Sequence, residues 1–190
     1  MKRRHLLTTC AALVASSWSA LPTGAQAQVA PDLAALIRLG GCVVLLRHAQ
    51  TEPGIGDPPN FRLDQCSTQR NLSTDGQAQA RSVGQWFKDR KLQARAVQSS
   101  PWCRCKDTSE LAFGAYSVLP ALGSTFDDRA AQAGQSQTLR ALLQKVPVGQ
   151  FEVWVTHQVN ITALTGEVPA MGEAFIVDRL GKMLARTRFE

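Results

Sequence analysis

Two arginines and two histidines in this chain stand where they could act together on one phosphoryl group. The first pair is adjacent: Leu45-Leu46-Arg47-His48-Ala49 closes an apolar run with a guanidinium and an imidazole side by side. A histidine that attacks phosphorus must be neutral, and a fixed cation beside it disfavours protonation while attracting phosphate oxygens. The third residue, Arg104, lies in Val97-Gln98-Ser99-Ser100-Pro101-Trp102-Cys103-Arg104, where a short β-type run gives way to a helix. Ser100 reads as the N-cap and Pro101 as the first helical residue. That puts Arg104 in the first turn, where free backbone N–H groups and the helix dipole already favour an anion. The fourth, His157, closes the apolar run Phe151-Glu152-Val153-Trp154-Val155-Thr156. Two guanidinium forks would repel a divalent cation, so the set suits a phosphoryl group, and neither a metal nor a cofactor is expected.

These side chains meet only if particular elements carry them. Gly41 to Leu46 is a near-continuous hydrophobic run, the pattern of a strand covered on both faces. Successive strand residues point to opposite faces, so Arg47 and His48 can share a site only where the strand unwinds at its carboxyl end. Open α/β sheets bind ligands at that edge, and three parallel strands would deliver all four residues to it. Helices are predicted over 31–39, ending at Gly40-Gly41, over 74–90, opened by Ser73, over 138–146 and over 161–164. Residues 174–177 and 183–189 read as a terminal hairpin. The alternation of strands and helices predicts an α/β fold: a three-layer α/β/α sandwich around a mostly parallel central sheet. Between Gln50 and Asn71 runs a loop rich in Pro, Gly, Asp and Asn, leaving directly from His48. A connection that long in a compact domain is usually functional or mobile. Its Arg62 and Arg70 could touch substrate, although such arginines are more often solvated, and its Glu52, Asp57 and Asp64 are expected to be solvated.

Taken in order, these segments resemble the histidine phosphatase superfamily, in the branch that contains phosphoglycerate mutases and small phosphohistidine phosphatases. Arg47-His48-Ala49 is similar to the Arg-His-Gly hallmark, with alanine for glycine. Leu72-Ser73-Thr74-Asp75-Gly76-Gln77-Ala78-Gln79-Ala80 is similar to its leucine-threonine, glycine, glutamine-alanine helix start. Ser100, Arg104 and Thr108 fit its Ser-x-x-x-Arg-x-x-x-Thr segment, and Val155-Thr156-His157 its second histidine strand. The likeness runs from about residue 41 to 165. It implies a phosphoglycerate mutase-like sheet and a phosphomonoesterase in which His48 becomes phosphohistidine. Arg47 and Arg104 would clamp the phosphoryl oxygens, and His157 would donate to them as charge builds. The implied partner is a small-molecule phosphomonoester, with sugar phosphates suggested by periplasmic relatives.

The resemblance also shows a departure. Many relatives carry a glutamate that protonates the leaving group, and Ser124 falls at that position. Asp127, Asp128, Glu52, Asp57 and Asp64 are the substitutes at hand. If none serves, the alternative is a non-catalytic phospho-ligand-binding protein using the same Arg/His pocket. Gln158 follows His157 where relatives often carry glycine.

The ends of the chain set its context. Lys2-Arg3-Arg4, the apolar and small residues from Leu6 to Ala20, and Ala25-Gln26-Ala27 read as a signal peptide over 1–27. Thr8, Thr9, Ser16, Ser17 and Ser19 make that stretch too short and too polar for a membrane anchor. The expected destination is the periplasm or the outside, by the general export route or, through Arg3-Arg4, the twin-arginine one. Residues 28–190 are then one domain, and removing the leader lowers the formal charge from +6 to +3. No basic stripe interleaved with aromatics marks a nucleic-acid partner, and no oligomeric state is implied. The exported part keeps Cys42, Cys66, Cys103 and Cys105. Four thiols allow three fully paired connectivities, or a Cys-x-Cys metal or redox site at 103 and 105. The expected arrangement is one disulfide from Cys66 to Cys103 or Cys105, tying the long loop to the Arg104 helix, with Cys42 a buried free thiol.

Overall fold

Every apolar residue of the first strand, β1 (Cys42–Arg47), is buried, and only Arg47 at its end reaches partial exposure. A computed structural model describes residues 32–189; the leader read over 1–27 lies outside them. The further strands are β2 (Ala96–Ser99), β3 (Ser117–Val118), β4 (Phe151–Thr156), β5 (Glu173–Asp178) and β6 (Met183–Arg188). They form one sheet in the order β3-β2-β4-β1-β5-β6. β3, β2, β4 and β1 are mutually parallel, β5 is antiparallel to β1, and β6 is antiparallel to β5. The sheet is therefore mostly parallel. The last two strands make the terminal hairpin that the sequence predicts.

Because β1 and β4 are central, both their faces must be covered. Cys42, Val44 and Leu46 pack with Phe151, Val153 and Val155 beneath helices α1 (Leu33–Leu39), α2 (Thr74–Asp89) and α3 (Cys103–Phe113). Val43, Leu45 and Trp154 face the other way, onto α4 (Gln132–Leu143) and α5 (Gln158–Thr165). The period-2 alternation of each strand thus feeds two separate cores, and the result is the expected α/β/α sandwich.

Helix boundaries follow capping chemistry. Ser73 accepts the Gly76 N–H at 3.1 Å and opens α2, as read from sequence. α3 starts two residues later than expected: Trp102 is its N-cap, and the Ser100 hydroxyl is used elsewhere. α4 starts at Gln132, six residues before the predicted 138. Its first half is polar and its buried residues are Leu139 and Leu143, so periodicity shows only in its second half. The two-residue β3 is exposed and too short to show any alternation. Gly76 explains the glycine of the helix-start motif. A Cβ there would lie 1.8 Å from the Gln50 carbonyl oxygen, so α2 abuts the loop leaving His48 only because the side chain is missing.

Candidate active site

Parallel pairing of β1 with β4 puts Arg47 opposite Thr156, so the next residues, His48 and His157, leave the sheet side by side. The His48 N–H still donates to the Thr156 carbonyl at 3.0 Å, extending the ladder by one bond. The two rings face each other edge-on with centroids 5.4 Å apart. β2 lies on the other side of β4, and the Ser100 N–H donates to the Val155 carbonyl at 2.9 Å. Three parallel strand ends therefore deliver His48, His157 and the Ser100–Arg104 segment to one edge, as the sequence requires.

His48 is nine-tenths or more buried, and its Nδ1 lies 2.9 Å from the Ala49 carbonyl oxygen. A carbonyl only accepts, so Nδ1 carries the proton and Nε2 keeps its lone pair. Burial, followed by the Arg104 charge, pushes the imidazole pKa down to about 3, against the opposing Ala49 hydrogen bond. Nε2 has no partner among the described residues. A neutral, fixed tautomer with a free lone pair is what attack on phosphorus needs. Ala49 fills a small core cluster with Leu72 and Ala80, which accounts for a methyl where the family hallmark has none.

His157 is held from the other side. The Ser100 hydroxyl accepts the Trp102 N–H at 3.3 Å and donates to His157 Nε2 at 2.8 Å. With the hydroxyl donating there, the ring proton sits on Nδ1, the nitrogen left to donate to an oxyanion. Burial, then the neighbouring His48, hold this imidazole well below its ordinary pKa.

The spacing of Ser100, Arg104 and Thr108 now has a physical account. Thr108 Oγ1 accepts the Ala49 N–H at 3.0 Å and donates to the Arg104 carbonyl at 2.7 Å. Residues four apart on a helix share a face. One face of α3 thus presents Arg104 and braces the loop leaving His48 through Thr108, while Ser100, two residues before the N-cap, holds His157.

The cavity at this edge has a volume of about 440 Å³. Arg47, Arg70 and Arg104 form its cationic floor beside the two neutral histidines, and Arg129 also lines it. Arg47 is anchored through Nη1 to Gln158 Oε1 at 3.1 Å and to the Pro169 carbonyl at 2.8 Å. Gln158, at a glycine position of the family pattern, is thus an arginine holder. Arg70 reaches the Gly54 carbonyl through Nη1. The Nε atoms of Arg47, Arg70 and Arg104 are all buried without a partner. Orphaned buried donors are rare in folded proteins, and three charged ones around one cavity mark an anion site.

Arg104 Nη1 donates to Asp57 Oδ1 at 2.7 Å, both side chains being buried. Asp57 also accepts the Arg70 N–H and the Trp102 indole N–H, each at 3.0 Å. Burial pushes the Asp57 carboxyl up, but the Arg104 hydrogen bond and its other donors outweigh it and hold the group below the usual carboxylate range. The reading of Asp57 as a solvated loop carboxylate is therefore corrected. Arg70 is likewise part of the cavity rather than a surface arginine. Four guanidinium groups line the cavity against the carboxyl groups of Asp57 and Asp127, a formal excess of two positive charges that matches a phosphate dianion.

The other carboxylates separate cleanly. Asp64 is exposed and paired with Arg62 at 3.0 Å. Asp128 caps the turn Arg129–Ala131. Glu52 is exposed and does not line the cavity. Ser124 does line it, with its hydroxyl accepting the Phe126 N–H at 3.2 Å. Asp127 lines it too and has no hydrogen-bond or ion-pair partner among the described residues.

A disulfide joins Cys66 to Cys103, the first residue of α3, and Cys42 and Cys105 are buried free thiols. With Cys103 taken, a Cys-x-Cys site at 103 and 105 is ruled out. Cys105 lies 3.6 Å from His157 Nε2, and burial pushes its thiol up to about 12. No helix among the described residues is long and apolar enough to cross a membrane.

A profile of the histidine phosphatase superfamily (branch 1) matches residues 43–171. No curated protein matches the sequence. Among solved structures, the chain is similar to the protein histidine phosphatase SixA complexed with tungstate. That likeness has 19% identity and a TM-score of 0.52, over 78% of this chain and 97% of that one. It is also similar to TTHB049 from Thermus thermophilus, at 20% identity and a TM-score of 0.54, over 77% of this chain and 99% of that one. At such identities the two structures speak for the fold.

Proposed function

The chain belongs to the histidine phosphatase superfamily (branch 1), and from that premise we propose that it is an exported phosphomonoesterase working through a phosphohistidine on His48. The observation that carries the reading is the His48 tautomer. A protein that merely held phosphate would present N–H donors throughout, whereas Nδ1 is committed to Ala49 and the lone pair sits on Nε2 among three guanidinium groups. A lone pair facing phosphate oxygens repels them unless it attacks the phosphorus between them.

In the first step the Nε2 lone pair forms the N–P bond and the ester P–O bond breaks. Arg47, Arg70 and Arg104 hold the three non-bridging oxygens, and the His157 Nδ1–H donates as their charge redistributes. The departing alkoxide takes a proton from Asp127, the cavity carboxyl group without a partner, which enters the step as the carboxylic acid and leaves it as the carboxylate. In the second step Asp127 accepts a proton from water, whose oxygen bonds to phosphorus as the N–P bond breaks. Inorganic phosphate leaves and His48 is again neutral. Export is part of the proposal. It is supported by the composition of residues 1–27 and by the Cys66–Cys103 disulfide, a bond that persists in oxidising compartments.

The test is a rapid quench during turnover of a phosphomonoester, followed by peptide mass analysis. Acid-labile, base-stable phosphate should appear on the peptide containing His48 and be absent from His48→Ala. Full turnover by that variant would overturn the reading.

A further inference from the structure

Above the cationic floor, one stretch of the cavity mouth is an apolar lip. Ile55 and Phe126 line it from opposite loops and are 92% and 47% exposed. Val159 and Met171, half-buried, complete the ring. Ile55 is displayed between Gly54 and Gly56, both with positive φ, and a Cβ on Gly56 would lie 3.8 Å from the Phe126 ring. The two loops therefore meet at this lip. Polar groups stand beside this lip rather than within it: Ser124, whose hydroxyl accepts the Phe126 N–H, Gln158, whose side-chain carbonyl oxygen holds Arg47, and Asp127 and Arg129. Large apolar side chains grouped in water at a cavity mouth mark a surface that a ligand covers. A cavity of about 440 Å³ holds a phosphoryl group and a leaving group of modest size.

Resting on the phosphomonoesterase reading, we propose that the substrate is a phosphomonoester whose leaving group is apolar next to the ester oxygen, an alkyl or aryl alcohol rather than a polyhydroxylated sugar. The phosphoryl group occupies the arginines, and the first carbons of the alcohol lie between Ile55 and Phe126. A sugar between Ile55 and Phe126 would lose water from its hydroxyls, and neither side chain offers them a hydrogen bond in return.

The experiment compares n-hexyl phosphate with glucose 6-phosphate, both esters of primary alcohols, so that leaving-group chemistry is closely matched. Each methylene covered by the lip contributes up to about fourfold in kcat/KM. The parent protein should prefer the hexyl ester by 10-fold or more. Ile55→Ser and Phe126→Ser should each shrink that ratio severalfold. Equal use of both esters, preference for the sugar, or a ratio unmoved by both substitutions would overturn the apolar lip while leaving a labelled His48 intact. Turnover of neither ester, with no phosphate on His48, would overturn both this inference and the phosphatase reading beneath it.

Discussion

Arg104 is held by Asp57 through a 2.7 Å hydrogen bond, with 5% and 4% of the two side chains exposed, so a loop carboxylate neutralises an anion-binding cation. The loop that leaves His48 thereby returns to fix the helix carrying Arg104. Asp57 engages one Nη and leaves the Arg104 Nε unpartnered, which makes it a positioning residue for the guanidinium.

Replacing Asp57 by alanine should be costly, because it strands a buried guanidinium. Removing one partner of a buried pair typically destabilises by about 3–5 kcal/mol. Urea unfolding should show that loss. Inorganic phosphate should then raise the unfolding midpoint of Asp57→Ala more than that of the parent, since an anion can replace the missing charge. A variant as stable as the parent would show that the pair does not hold this corner together.

Much of this arrangement was legible in the chain, and the reasons are local. Strands β1 and β4 are fully buried and read as unbroken apolar runs, so their ends, and with them His48 and His157, could be placed from pattern alone. The Ser100, Arg104 and Thr108 spacing carried α3, although Ser100 serves His157 rather than capping the helix. Arg70 and Asp57 were not legible. They lie in a loop without periodicity, where only the folded path shows that one arginine and one aspartate turn inward. Their signal is indirect: a buried floor with Arg47 and Arg104 calls for a counter-charge, and the loop leaving His48 is the nearest supplier.

The neutral histidines make stability depend on pH in a definite direction. His48 is held to about 3 in the folded chain, while in the unfolded chain it titrates near its ordinary value of 6.5. Below 6.5 the unfolded state therefore binds more protons. Stability is full above that pH and falls as the pH drops towards 3, by about 1.4 kcal/mol per unit for one such group. His157, also depressed, adds in the same direction. Denaturant unfolding at pH 8 and pH 5 should show the loss, and His48→Gln should lessen it. A parent stability independent of pH over that range would mean that the buried rings titrate normally.

The Cys66–Cys103 bridge closes a loop across 37 residues and joins the turn Cys66–Thr68 to the start of α3. Gln69 reinforces the same junction by accepting the Cys103 N–H at 2.9 Å. Cys66→Ser should cost about 2–4 kcal/mol in urea unfolding, mainly by releasing the unfolded chain. Activity should fall less than stability, because Asp57 still holds Arg104. Equal unfolding midpoints for the parent with and without reductant would contradict the bridge.

In the proposed mechanism Asp127 bears the proton-transfer step, and its substitution should discriminate between leaving groups. An aryl oxide departs readily without protonation, whereas an alkoxide does not, so only the second needs the donor. Asp127→Asn should lower kcat/KM for n-hexyl phosphate by about 10²-fold or more and leave that for phenyl phosphate much closer to the parent. The comparison works because both esters place apolar carbons at the same lip, beside Phe126. Asp57→Asn serves as the contrast: its carboxylate is spent on Arg104, Arg70 and Trp102, so it should weaken both substrates alike. If Asp127→Asn lowers both esters equally, its role lies in binding rather than proton transfer. If it lowers neither, the proton reaches the leaving oxygen from a group other than this carboxylate.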